Sequence, residues 1–302
     1  MRPMPETEKA PAPLCAAIER LPSLGEGLRA AGFRPRKALG QHFLLDLNLT
    51  RKIARAAAPE AAAIVIEVGP GPGGLSRALL LEGAPRLVAI EKDAQAEALL
   101  RPLIAASAGR FSVQIGEALG LDLTRLGPAP RVICANLPYN VGTPLLLGWL
   151  RQLSADPQAY ARLVLLFQRE VAQRLVAQPG SKAYGRLSVI SQYLCQVERL
   201  FDIPADAFTP PPQVVSSLLR LTPKPASADR LPLEPLERVT AAAFGQRRKS
   251  LRQSLKQIAD SEALLGAAGI DPSRRAETLT LEEFTRLARI YAETQPFVKV
   301  KD

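Results

Sequence analysis

The sequence predicts an α/β protein: a Rossmann-like, doubly wound parallel sheet followed by a small C-terminal helical domain. Three observations carry that prediction. Short apolar runs rich in Val and Ile alternate with helical stretches. A glycine-rich turn follows the first of those runs. The composition then shifts at Thr222-Pro223-Lys224-Pro225-Ala226-Ser227, beyond which the periodicity is helical.

Taken in chain order, residues 1–28 are rich in Pro and Ala and are expected to form a loosely held N-terminal extension. Ile64 to Val68, Arg86 to Ile90, Phe111 to Ile115, Arg131 to Ala135 and Leu163 to Phe167 read as buried strands, because each is short, apolar and β-branched. Between them Leu75 to Glu82, Ala94 to Ala106 and Pro144 to Leu153 carry a helical period, the spacing of βαβ units. Ser188 to Cys195, Arg199 to Ile203 and Val214 to Leu221 read as consecutive strands that would give the sheet an antiparallel finish. Past the Pro-rich segment, helices are expected over Leu236 to Gly245, Arg247 to Ile258, a short stretch near Ala263, and Leu281 to Glu293. The expected domains are therefore 29–222 and 223–302.

The chain has 302 residues, 47% hydrophobic and 23% charged, which suits one large or two ordinary domains and excludes disorder, collagen and coiled coil. No apolar run approaches the roughly 18 residues of a membrane helix. Glu6, Glu8, Glu19 and Glu26 make the start unlike a secretory signal or transit peptide, so a cytoplasmic location is expected. The three cysteines, Cys15, Cys134 and Cys195, are far apart, and His42 is the one histidine. A disulfide framework, a thiolate zinc site and a multi-histidine metal site are excluded, and no metal is expected.

The net charge is +10, and it is concentrated. Residues 29–55 hold seven Lys/Arg and one Asp, and residues 244–256 hold five Lys/Arg and no acid. Two local basic segments in a nearly neutral remainder point to polyanion-binding surfaces.

Glu67-Val68-Gly69-Pro70-Gly71-Pro72-Gly73-Gly74 contains a G-x-G-x-x-G pattern after a strand and before a helix, with Glu91 ending the next strand. Glycines there allow a ligand close to the backbone, and a carboxylate at that place can accept hydrogen bonds from ribose hydroxyls. NAD and S-adenosylmethionine both satisfy this motif. Asn136-Leu137-Pro138-Tyr139 ends the fourth strand, at the edge of a doubly wound sheet where ligands bind. The amino nitrogen of adenine is a poor nucleophile because its lone pair is delocalised into the ring. Two acceptors, the Asn136 side-chain oxygen and the Leu137 carbonyl, would turn that lone pair toward an electrophile. Pro138 would stiffen the turn, and Tyr139 could stack on the base and lie against a cationic sulfonium.

Six ordered blocks then resemble one family. They are Leu39-Gly40-Gln41-His42-Phe43-Leu44, Glu67 to Gly71, Asn136 to Asn140, Ser181 to Ser188, Ala207-Phe208-Thr209-Pro210-Pro211-Pro212, and Phe244-Gly245-Gln246-Arg247-Arg248-Lys249. The chain resembles the ribosomal RNA small subunit (16S) adenine dimethyltransferase family, S-adenosylmethionine-dependent enzymes that dimethylate the N6 amino groups of two adjacent adenosines in a small-subunit rRNA hairpin loop. That resemblance implies S-adenosylmethionine as methyl donor, small-subunit rRNA in an assembling ribosomal subunit as partner, and a monomer. It implies that His42 and Leu44 border the methyl donor, that Gly69 contacts it through the backbone, that Glu91 holds its ribose and that Glu117 faces its adenine ring. Asn136 would close the site and, with Leu137 and Tyr139, act on the target amine. Phe208 would stack on the extruded base or plug a hydrophobic gap. Two departures stand out: Glu117 replaces the family's usual Asp, and Gln213 replaces a frequent Lys after the triple proline.

A helix from Gln246 would put Arg248, Lys249, Arg252 and Lys256 on one face, with Arg247 beside them, as an RNA-binding surface. Arg34, Arg36, Lys37, Arg51, Lys52 and Arg55 would form a second patch. Two alternatives remain open on the sequence: the same chemistry on large-subunit rRNA, and a non-catalytic RNA-binding assembly factor of the same fold.

Overall fold

A computed structural model describes residues 12–33, 35, 36, 40–225, 227 and 229–294. Two compact units emerge. One runs through Ala172 and resumes over Glu198–Pro223; the other holds Gln173–Val197 and the described residues from Lys224 onward. The single boundary expected at 222/223 is thus crossed twice more, because residues 173–197 pack with the C-terminal helices.

The first unit is built on a seven-stranded sheet in the order β4-β3-β2-β5-β6-β9-β7. Its strands are β2 (Ile64–Val68), β3 (Leu87–Glu91), β4 (Phe111–Ile115), β5 (Arg131–Asn136), β6 (Arg162–Gln168), β7 (Cys195–Ile203) and β9 (Ser216–Pro223). The neighbours β4-β3, β3-β2, β2-β5 and β5-β6 are parallel, and β6-β9 is antiparallel, as expected. Every residue of β2 and β3 is buried, the pattern of a parallel sheet covered on both faces. The chain leaves β2 toward β3 on one side and later places β5 on the other. The carboxyl ends of β2 and β5 therefore flank a topological switch point. A two-stranded ribbon, β1 (Phe43–Leu44) with β8 (Phe208–Thr209), pairs Phe43 with Thr209 and Leu44 with Phe208.

Residues 1–11 of the expected N-terminal extension lie outside the described residues, and from Ala12 onward the extension is helical and packed. Helix α1 (Ala12–Glu19) buries Leu14 and Ile18, and α2 (Leu24–Ala30) begins with a capping box between Ser23 and Glu26. Arg77 donates from Nη1 to the Pro22 carbonyl at 2.9 Å. Helix α3 (Leu47–Ala57) is capped by Asp46, whose carboxylate accepts from the Asn48 and Leu49 amides. Helices α4 (Gly74–Leu81), α5 (Ala96–Ala106) and α6 (Gly142–Ala155) fall where the sequence period puts them. No described helix is long and apolar enough to cross a membrane.

After α7 (Arg169–Val176) the reading of Ser188 to Cys195 as a strand fails: α8 spans Arg186–Leu194. The alternating Ser, Val and Ile suggest β structure, but two polar side chains decide otherwise. Ser188 donates to Arg174 O at 2.5 Å, and Gln192 donates to Leu175 O and Ala177 O at 2.9 Å each. Positions four apart meet one set of carbonyls only on a helix. The remaining helices are α9 (Leu233–Gly245), α10 (Leu251–Leu255), α11 (Ser261–Ala267) and α12 (Leu281–Thr294). Their core includes Phe244 stacked at 5.5 Å on Phe284 and edge-on to Tyr184.

The continuous helix expected over 247–258 is also absent. Residues 246–250 turn, and only Leu251–Leu255 is helical. The Leu251 and Arg252 amides donate to Arg274 O and Pro272 O rather than back along the chain, which ends any continuation of α9.

Candidate functional site

At the switch point lies a cleft of about 930 Å³, counted to its open mouth, bordered by His42, Gly69, Glu91, Glu117, Asn136 and Tyr139. The sequence expectations for these six residues converge there. Leu137 borders it too, one residue past the end of β5, with its side chain buried.

Asn136 is oriented by its surroundings. Its Nδ2 donates to the His42 carbonyl at 2.8 Å. A carbonyl can only accept, so the amide's nitrogen must face His42 and Oδ1 is turned the other way. Tyr139 shares a 2.6 Å hydrogen bond with Ser216 Oγ, and burial pushes its phenol above the ordinary range, so it stays neutral. The His42 ring stacks on Tyr139 at 5.6 Å and 26°. Its Nδ1 lies 2.7 Å from Pro210 O.

Glu91 is 5% exposed and is held from both sides: Oε2 accepts from Gly71 N at 3.0 Å and Oε1 from Asp93 N at 2.8 Å. Burial raises its pKa, and the backbone donors oppose that rise. Each carboxylate oxygen keeps a second lone pair for a hydroxyl of a ligand. Deeper still, Glu67 accepts from Ser76 Oγ at 2.5 Å, and burial pushes its carboxyl up to about 8. Glu117, at the mouth, forms an ion pair with Lys92, whose hydrogen bond draws its carboxyl below the usual range.

The glycine loop is tight for a reason other than ligand approach. A Cβ on Gly71 would come within 2.7 Å of the Phe43 ring, and one on Gly74 within 2.4 Å of Leu44 O. These glycines let β1 press on the loop. The same packing corrects Leu44: it does not border the cleft, its side chain is 4% exposed in the core, and its carbonyl abuts Gly74. Of the two readings open for Phe208, base stacking and a hydrophobic plug, the packing matches the second. At 2% exposure, paired opposite Leu44, it is a core plug rather than an open stacking surface.

Three contributors escape the sequence reading. Asp93, 2% exposed, accepts from Gln41 Nε2 at 3.1 Å and so ties the Gln41-His42 segment to the end of β3. An acid two residues beyond Glu91 was the available signal. Pro210 falls within the 207–212 block, but its carbonyl and the Ser216 hydroxyl act on partners distant in sequence, so no local signal marks those roles.

The cations expected to bind RNA divide. Arg247 is engaged: it donates to Lys182 O at 2.6 Å and Tyr184 O at 2.9 Å and lies 3.8 Å from Glu277. Arg252 pairs with Glu262 at 3.3 Å. Arg248, Lys249 and Lys256 are exposed, with no ion pair among the described residues. In the other segment Arg34 and Lys37 lie outside the described residues. Arg51 and Arg55 both reach Glu82, at 2.5 and 3.1 Å, Lys52 sits 4.0 Å over the Phe201 ring, and Arg36 is 3.7 Å from Asp93. That patch is largely committed within the protein.

Residues 32–293 match the family described as Ribosomal RNA adenine dimethylase. A Ribosomal RNA small subunit methyltransferase A of Rhodospirillum rubrum is 55% identical over 269 residues, covering 89% of this chain and 92% of the relative. The protein of that name from Mesorhizobium japonicum is 53% identical, covering 90% and 98%. Among solved structures, a dimethyladenosine transferase from Plasmodium falciparum superposes with a TM-score of 0.70 at 22% identity, covering 83% of this chain and 98% of its own. The 23S rRNA methyltransferase ErmE gives 0.61 at 22% identity, covering 83% and 99%. At that identity the likeness is one of fold.

Proposed function

The chain belongs to the ribosomal RNA adenine dimethylase family, and on that premise we propose that it dimethylates N6 of two adjacent adenosines in the small-subunit (16S) rRNA of an assembling ribosomal subunit, as a cytoplasmic monomer. It is an S-adenosylmethionine-dependent rRNA methyltransferase, and RNA is its partner. The small-subunit substrate is supported by relatives more than 50% identical over nine-tenths of the chain. The observation that carries the chemistry is the Asn136 amide, fixed by the His42 carbonyl at 2.8 Å beside a cleft whose floor holds the buried Glu91 carboxylate.

The residues present fit the cofactor. A buried carboxylate with lone pairs toward the cleft suits the two hydroxyls of a ribose, Gly69 leaves backbone open to the ligand, and Glu117 offers an acceptor at the mouth. S-adenosylmethionine, when bound, supplies an electrophilic methyl group. Asn136 Oδ1 and Leu137 O accept the two N–H bonds of the target amine, which draws its lone pair out of conjugation and steadies the positive charge that grows on nitrogen. The neutral Tyr139 ring, stacked by His42 on one face, offers the other to the base. After one transfer a single N–H remains, so one of the two acceptors still holds the amine for the second. The surplus proton passes to water, because the amine nitrogen that has just gained a methyl group and a positive charge is acidic enough to release it without a dedicated base.

Incubation with labelled S-adenosylmethionine and small subunits lacking the modification, followed by RNA digestion, tests the proposal. Dimethyladenosine at two adjacent positions is expected. Absence of it, or label appearing only in large-subunit rRNA, overturns the substrate.

A further inference from the structure

One residue, His42, touches all three parts of the amine-binding wall, and the reason lies in the ribbon beside it. In the β1-β8 ladder Phe43 faces Thr209 and Leu44 faces Phe208, so the next antiparallel step sets His42 opposite Pro210. Proline has no N–H. It cannot donate to the His42 carbonyl, which accepts instead from Asn136 Nδ2. The bond to Pro210 is made by the ring: Nδ1 lies 2.7 Å from Pro210 O, and since that oxygen only accepts, Nδ1 must carry a proton. The face of the same ring stacks on Tyr139.

We propose that His42 is a positioning residue that locks the Asn136-Tyr139 tetrapeptide to the 208–212 loop, with its imidazole held as the Nδ1–H form by Pro210. This rests on the function proposed above and goes beyond cofactor contact: the backbone carbonyl aims the Asn136 amide, and the side chain clamps Tyr139 and the proline loop together. The lock acts on the target amine, so its loss slows the transfer step while cofactor affinity holds. A misplacement of about 1 Å at such a site costs on the order of 10²-fold in rate.

Two measurements test it. Because the chain has one histidine, nitrogen NMR of the imidazole needs no assignment. In the protein without substrate the ring should show a protonated Nδ1, and an unprotonated Nδ1 overturns the lock. Second, His42→Asn places an amide N–H where Nδ1 was, whereas His42→Gln places it where Nε2 was. His42→Ala should lower kcat about 10- to 100-fold while calorimetric affinity for S-adenosylmethionine stays within about threefold. Asn should recover most of the loss and Gln little. Equal behaviour of Asn and Gln, or a fall in cofactor affinity that parallels the fall in rate, overturns the proposal. Asn136→Ala run alongside separates the two readings: if it leaves turnover intact, the site assignment itself fails, and if it abolishes turnover while His42→Ala does not, only the lock fails.

Discussion

The cleft in the first unit and the basic segment 246–256 in the second use polar side chains in opposite ways. In and beside the cleft, Glu91, Asn136 and Asp93 are buried or half-buried, and main-chain groups or a neighbouring amide fix each of them. In the segment, Arg248, Lys249 and Lys256 stand exposed in the turns that flank a short helix. The difference follows from distance. Turning a lone pair toward a methyl group needs placement within a fraction of an ångström, which strand ends and backbone bonds supply. Attraction of phosphates acts over a Debye length of roughly 10 Å, and mobile surface cations supply that as well as rigid ones. Single substitutions should therefore weigh heavily in the cleft and lightly on the segment.

Asn136→Ala should have the largest effect. It deletes one of two acceptors at the amine and leaves the His42 carbonyl without its donor, so kcat should fall roughly 10²- to 10³-fold with near-normal cofactor binding by calorimetry. Turnover within threefold of the parent would erase the contrast between the regions.

A glycine next to each region sharpens it further. Gly74→Ala would set a Cβ 2.4 Å from the rigid Leu44 carbonyl, so the urea midpoint should drop by the equivalent of about 1–3 kcal/mol. Gly245 ends α9 with nothing within 4 Å of its added Cβ, and Gly245→Ala should be neutral or stabilising by about 0.4–1 kcal/mol. Similar destabilisation by both would show that the glycine loop is not specially constrained by β1.

The sequence made the cleft legible and the segment less so, for the same reason. The five central strands, the glycine loop and the Asn136 tetrapeptide announce themselves through local pattern: apolar runs and turn residues within a few positions of one another. What was missed depends on partners far along the chain. Ser188 and Gln192 choose helix because of carbonyls at 174–177, and the helix after Gln246 breaks because residues 272–274 take its first amides. Leu44 and Phe208 looked like site residues but are a ladder pair facing the core. Charge counting misled most. Arg51, Arg55 and Arg247 add to the basic total, yet each is engaged with protein acceptors that no local pattern reveals.

A smaller effect concerns pH. Glu67 has its carboxyl pushed up to about 8 by burial, against 4.5 for the free group. Between those values the folded protein binds a proton that the unfolded chain has released, so stability falls as pH rises. The contribution is complete below about pH 4.5, declines up to about 8 and is flat above. Glu67→Gln, which keeps the bond to Ser76 without an ionisable group, should flatten that slope in urea titrations run from pH 5 to 9. Parallel slopes for parent and variant would mean that Glu67 is ionised in the folded protein.

The smallest effect per residue belongs to the segment. Exposed cations bind RNA by releasing counterions, and each phosphate contact contributes about 0.7–0.9 to the slope of log affinity against log salt. Neutralising Arg248 and Lys249 together, as R248Q and K249Q, should reduce that slope by roughly 1.5 and weaken binding severalfold, with kcat at saturating RNA unchanged. The matching pair R51Q and R55Q should change the slope by less than half as much, because both guanidinium groups already serve Glu82, which is mostly buried. Equal slope changes from the two pairs would mean that RNA displaces Glu82 from its arginines, and that the 29–55 segment is a binding surface after all.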